Sequence, residues 1–228
     1  MKKIYLHALP LRIWHWMNAL MFIILLVTGL QLRMSGVADL SPHDPALVIH
    51  NYAGWAMVGF YILWLAYSIV SRNLINNYVI RKHDLGGIFG QAKYYLISIF
   101  KGEENPFTPS PDNKFNPLQK IAYGSAMFIF APVIIITGLL YTDISWLRQF
   151  ILDSKLTGTI NAIHIMAAYL FALFLIIHVY MATLGPTPLT HIKAMITGHE
   201  EEPDGPKVKS SAKTLPADPA SEAGSQGA

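Results

Sequence analysis

Residues 161–184 read NAIHIMAAYLFALFLIIHVYMATL, an apolar run of bilayer-crossing length that carries two histidines, His164 and His178, 14 positions apart. On an α-helix that interval turns through about 1400°, roughly 40° short of four turns, and rises about 21 Å. Both imidazoles therefore share one face and lie at two depths. Ionisable side chains at such depths are costly and mark function. If each is to serve as one of a pair, the rest of the chain has to supply two partners.

The composition agrees with a membrane setting: of 228 residues 53% are hydrophobic and only 14% charged. Cysteine is absent, which excludes disulfides, thiolate zinc sites and iron–sulfur clusters held by this chain's own side chains. Redox chemistry, if any, has to come from a cofactor that histidine can hold.

Three further apolar runs stand N-terminal to the first. The run at about 11–32 contains His15 one turn inside its start; it is too long for a signal-peptide core and is expected to be a retained span, with Gly36-Val37-Ala38 a weak competing cleavage signal. A second, at about 46–71, follows Asp44 and Pro45, a cap and first-turn pair, and carries His50 one turn in. Its tryptophans and tyrosines, Trp55, Trp64, Tyr52, Tyr61 and Tyr67, suit packing and interfacial anchoring. The third, at about 121–141, has no histidine and a kink expected at Pro132. The fourth span is 160–184. Between the second and third, an apolar patch around Phe89, Tyr94-Tyr95 and Phe100 suggests a helix lying in the membrane surface. A short surface helix is expected from Thr187, as cap, to Gly198. Residues 200–228, rich in Pro, Ser, Ala, Glu and Lys, are expected to be disordered. No internal repeat is evident.

Four spans put both termini and the central loop on one side. Of the 17 Lys and Arg, only Arg33, Arg148 and Lys155 fall on the other, so the positive-inside rule makes the terminal side cytoplasmic. Direction then tests the pairing. The first and fourth spans run oppositely, so His15 and His178 both lie toward the cytoplasm; the second and fourth start outside, so His50 and His164 both lie toward the outer face. Four intramembrane histidines thus fall into two depth-matched pairs. Neutral imidazole is a common axial ligand of iron porphyrin, and two pairs at two levels imply two bis-histidine haems b. His7, His43, His83, His191 and His199, in loops or near the termini, are expected to be solvated. Arg12 and Arg33 can reach haem propionates, although an inside charge anchor explains Arg12 equally.

The runs RIWHW at 12–16, NPLQK at 116–120 and HVYM at 178–181 resemble the cytochrome b subunits of membrane-bound [NiFe]-hydrogenases and formate dehydrogenases, a superfamily that includes thiosulfate-reductase-like and bacterial cytochrome b561 proteins. The resemblance covers about residues 5–198. It implies an all-α, integral membrane four-helix bundle with two haems b and short interfacial helices. The same ligand pairs are implied, in a cytochrome domain over 1–199. It also implies a quinone site near the cytoplasmic haem at Asn116, with Gln119 continuing the pattern; Leu118 stands where formate dehydrogenases have glycine, and the start of a helix explains Asn116-Pro117 equally.

The expected function is electron transfer in the bacterial or archaeal inner membrane. The chain would be the anchor linking a periplasmic catalytic subunit, through an iron–sulfur or multihaem cytochrome c partner, to menaquinone or ubiquinone. The alternative is a standalone quinol oxidase of the cytochrome b561 kind acting on a small oxidant such as superoxide. A transporter or a haem-free metal site is disfavoured because the four spans lack carboxylates. Nucleic-acid binding is not expected, since the basic residues follow membrane topology.

Overall fold

The computed structural model describes residues 2–34, 43–110, 112–141, 154–185 and 187–202. Among the described residues four helices are long and apolar enough to cross a membrane: α1 (Leu9–Arg33), α2 (His43–Val70), α5 (Pro117–Tyr141) and α6 (Ser154–Ala182). Each runs a few residues beyond its apolar core at one end or both, because polar residues continue a helix once it leaves the hydrocarbon. Between α2 and α5 lie α3 (Asn73–Asn77) and α4 (Lys82–Leu96), with a 3₁₀ turn at Ser98–Lys101. After α6 come α7 (Thr190–Thr197) and a strand, β2 (His199–Glu202), which pairs antiparallel with β1 (Lys2–Tyr5).

The bundle is assembled from two hairpins. Helix α1 packs along α2, and the second half of α5 packs along α6; contact between the hairpins is thinner. The side-chain distribution is inverted relative to a water-soluble bundle. Leu20, Ile23, Ile62, Leu63, Ile176 and Ile177 point outward, whereas Thr28, Gln31, Ser68 and Thr137 are buried inside. A small apolar cluster of Ala126, Ala131 and Phe171, joined by Phe22, Phe130 and Phe174, fills the middle of the bundle. Because Phe171 lies seven positions from each of His164 and His178, this layer separates the two histidine levels. Trp64 is packing, at 1% exposure against Trp14, Tyr61, Tyr78 and Phe128, whereas Tyr52, 75% exposed, fits an interfacial position.

Three expectations are corrected in detail. The third span begins at Pro117, four residues early, because Asn116 caps it: its Oδ1 accepts from the Gln119 amide at 2.9 Å while Gln119 Oε1 accepts from the Asn116 amide at 3.0 Å. Ahead of Pro132 the helix widens into a π-turn over Ala126–Phe130, the local device that accompanies the imino nitrogen's missing donor. Helix α7 starts at Thr190 rather than near Thr187; the Thr187 and Thr190 hydroxyls instead pair at 2.9 Å in the turn before it. Residues 200–202, assigned to a disordered tail, belong to β2, set opposite residues 2–4. Residues 203–228, and the charged connector at 142–153, lie outside the described residues.

The surface helix is present as α4. Leu85, Phe89 (84% exposed) and Leu96 project outward, and its inner side is fixed by a buried ion pair, Asp84 to Lys120 of α5 at 2.9 Å. The β1–β2 ribbon lies at the bundle end that also holds α4 and α7. That is the terminal end; the opposite one is the distal end.

Candidate functional site

The four intramembrane histidines meet two by two. At the terminal end the ring centres of His15 on α1 and His178 on α6 are 6.2 Å apart; at the distal end those of His50 on α2 and His164 on α6 are 6.4 Å apart. Rings hydrogen-bonded directly to one another would be about 5 Å apart. Two imidazoles facing each other across one metal, with metal–nitrogen bonds of about 2 Å and about 1.1 Å from ring nitrogen to ring centre, are separated by about 6 Å. Both pairs match the second figure. Among the described residues no group of three or more His, Asp or Glu gathers to hold a bare ion, so a metal at either level would take its other ligands from outside these side chains.

At the distal pair the hydrogen bonds assign the tautomer. Thr28 Oγ1 donates to the Ile24 carbonyl at 2.7 Å and also lies 2.9 Å from His50 Nδ1. A hydroxyl has one proton, and the carbonyl can only accept. The contact to the ring is therefore Nδ1–H donating to Oγ1, which leaves Nε2 bare and able to ligate. The same pattern recurs at His164: Thr137 Oγ1 donates to the Val133 carbonyl at 2.7 Å and accepts from Nδ1 at 2.9 Å. Beside each threonine is a glycine that admits the ring. A Cβ on Gly29 would stand 3.2 Å from His50 Cε1, and one on Gly138 3.2 Å from His164 Cε1.

The terminal pair has different surroundings. Nδ1 of both His15 and His178 is buried with no hydrogen-bond partner among the described residues. The rings are walled by aromatics: Phe174 stacks on His178 at 5.8 Å, Tyr123 meets it edge-on at 5.9 Å, and Trp16 lies 5.2 Å from His15. Next to them is a polar layer. Asn116 Nδ2 donates to the Tyr95 hydroxyl at 2.9 Å, and Lys120, one turn along α5, is sealed against Asp84. Burial raises the Tyr95 hydroxyl pKa, more than its bonds from Asn116 and Gln91 lower it. His7, expected to be solvated, is half-buried here; desolvation, then the Lys114 charge, push it down to about 4, so it is neutral at physiological pH. Lys114 is itself lowered by burial.

Arg12 does not stand free: its guanidinium donates to the Ile196 carbonyl and ties α1 to α7, while its Nε is buried without a partner among the described residues. Arg33 is exposed in the last turn of α1, at the distal end. His191 lies 3.3 Å from Glu200, and His199 packs on Tyr5, so both are fixed in the terminal cap. Sequence reasoning missed Thr28, Thr137, Asp84, Tyr95 and Tyr123. For the threonines a signal existed in the recurrence of Val27-Thr28-Gly29-Leu30 as Ile136-Thr137-Gly138-Leu139.

The family model described as prokaryotic cytochrome b561 matches residues 6–198. Among curated proteins, the putative cytochrome YdhU of Escherichia coli (strain K12) is 29% identical over 205 residues, covering 87% of this chain and 75% of the relative. The probable Ni/Fe-hydrogenase 1 B-type cytochrome subunit of the same organism is 28% identical over 199 residues, 78% of this chain and 81% of the relative. The F420 non-reducing hydrogenase II cytochrome subunit of Methanosarcina mazei is 23% identical over 225 residues, 84% and 80% respectively. With four apolar helices and paired intramembrane histidines already in hand, this chain belongs to the prokaryotic cytochrome b561 family and is a multi-pass, b-type cytochrome that transfers electrons.

Proposed function

We propose that the chain is a dihaem cytochrome b, with His15 and His178 the axial ligands at the terminal level and His50 and His164 those at the distal level. The observation that carries this is the ring spacing of 6.2 and 6.4 Å, with bare Nε2 atoms at the distal pair. Haem b supplies a one-electron ferric–ferrous couple when bound there, and two protein ligands per iron leave no open position for substrate chemistry. The protein's part is to hold the imidazoles in register and to exclude water between the levels, which the layer around Phe171 does. Residues 1–199 then act as one cytochrome domain, extended by β2.

The charge asymmetry supports a cytoplasmic terminal end. Electrons would then pass between an oxidoreductase docked at the outer face, by relation to the hydrogenase cytochrome subunits a hydrogenase-type enzyme, and a quinone at the terminal end. Reducing a quinone takes two electrons and two protons. The layer of Asn116, Gln119 and Tyr95 offers hydrogen-bonding groups beside His178 at the side from which cytoplasmic protons arrive. The guanidinium of Arg12 and the exposed Arg33 are the cations available to propionates at the terminal and distal levels.

The test is stoichiometry. Pyridine haemochromogen analysis of the purified chain should give two haems b per polypeptide, and a value of one or none overturns the reading. For the quinone site, Asn116→Ala removes a hydrogen bond worth about 1–1.5 kcal/mol, so quinol-driven haem reduction should slow about tenfold while dithionite reduction is unchanged. An unchanged quinol rate would move the quinone elsewhere.

A further inference from the structure

We propose that Thr28 and Thr137 are matched positioning residues that set the electron-donating strength of the distal histidine pair, and hence hold the distal haem at a more negative potential than its ligands alone would give. The inference rests on the ligation proposed above. Its starting point is the short repeat. Each hairpin carries the same device: Thr-Gly-Leu near the distal end of its first helix and a histidine about two to three turns into its second. The two copies converge on one level, so both rings of the distal pair receive the same treatment.

The threonine hydroxyl is held by its own helix. With its proton committed to the carbonyl four residues back, at 2.7 Å in both copies, Oγ1 can only accept from the imidazole. An imidazole that donates its second N–H gains basicity at the ligating nitrogen and is locked in orientation. A more basic ligand favours ferric over ferrous iron. The adjacent glycine is what lets the ring come this close, since a Cβ at either position would press on Cε1 at 3.2 Å. At the terminal level neither element is present: the Nδ1 atoms of His15 and His178 are buried without hydrogen-bond partners among the described residues. The two levels therefore differ by two hydrogen bonds, and the difference favours keeping the electron on the terminal level.

The experiment is a potentiometric titration of the full-length chain carrying Thr28→Val, Thr137→Val or both, followed in the visible spectrum. Valine keeps the β-branched shape and deletes only the acceptor. His15→Ala and His164→Ala identify the component belonging to each level by its disappearance. Each single variant should raise the distal midpoint alone, by a threefold to tenfold change in ferric-over-ferrous preference, tenfold being about 59 mV for one electron. The double variant should shift it by the sum, and Thr28→Ser and Thr137→Ser should restore it. If both valine variants keep two haems and leave the distal midpoint where it was, or if serine fails to restore it, the proposal is overturned. Loss of haem in one valine variant is read through the other copy and its serine counterpart, which carry the same prediction independently. Retention of both haems in His164→Ala defeats the ligation itself, and this inference with it; loss of one haem there with unmoved threonine variants defeats only the inference.

Discussion

The two ends of the bundle use the same ligand type at nearly the same spacing and surround it differently. At the distal end, two threonines fix both rings, two glycines admit them, and the neighbouring aromatic is Tyr141, 6.2 Å from His164. At the terminal end the rings are wedged by Trp16, Tyr123 and Phe174, and a layer of amide, hydroxyl and ion-paired groups comes up beside them. Hydrogen bonds specify direction; aromatic walls specify volume. The distal pair is thus constrained in orientation, whereas the terminal pair is constrained by packing and sits next to groups that can exchange protons and bind a polar headgroup. The proposed function uses that asymmetry: electrons are only passed on at one end and are exchanged with a diffusing partner at the other.

The largest effects should come from the ligands, and they should be separable by level. His164→Ala or His50→Ala should cost one haem of the proposed two and leave the terminal component's spectrum in place; His178→Ala or His15→Ala should do the converse. Quinol-driven reduction should survive only where the terminal haem survives. Reduced-minus-oxidised spectra with haem quantitation decide it. A variant at one level that abolishes both haems equally would mean the two ends fold as a single cooperative unit and would blunt the comparison.

Next in size is the buried ion pair at the terminal end. Lys120 and Asp84 have side-chain exposures of 0% and 3%. Removing one partner strands the other charge, and should cost about 3–5 kcal/mol, whereas replacing both by apolar residues of similar volume should be close to neutral. Lys120→Met should therefore lower the thermal midpoint sharply and release α4 to protease, and adding Asp84→Leu should restore most of it. Terminal-haem absorbance should follow the single variant and the distal bands should not. If the double variant is no better than the single, the pair does more than hold α4 onto α5.

How much of this was legible beforehand depended on how local each signal is. The four spans are written in contiguous apolar runs, and the histidine pairing follows from direction and rise along them, so both were readable. Span ends were less so. Lys120 made the start of α5 look external, because nothing in the chain says that a carboxylate 36 positions earlier will neutralise it inside the protein. Residues Glu200–Glu202 read as disordered tail because a run of acidic residues has no apolar face; its order comes from pairing with β1, almost the full chain length away. Thr28 and Thr137 were hidden differently. A threonine that bonds its own helix's carbonyl is the ordinary behaviour of a hydroxyl in a membrane span, and only the imidazole brought up from the next helix gives it a second role.

The smallest predicted effect is the most discriminating, because stability and electronics should move apart. Gly29→Ala and Gly138→Ala each replace a glycine in the last turns of a helix by a better helix former, worth up to about 1 kcal/mol in favour of the variant. The added methyl would lie 3.2 Å from a histidine Cε1, so the ring has to give by a few tenths of an ångström, and its bond to the neighbouring threonine lengthens. The thermal midpoint should therefore change little in either direction while the distal haem alone moves to a more positive potential, by less than in the threonine-to-valine variants. Gly90→Ala is the control, on exposed α4, where a Cβ meets nothing within 4 Å. It should raise stability slightly and leave both potentials untouched. Were the distal potential to stay fixed in Gly29→Ala and Gly138→Ala, the glycines would be there for helix packing alone, and the two ends would differ in hydrogen bonding but not in how closely the protein backbone approaches the ligand.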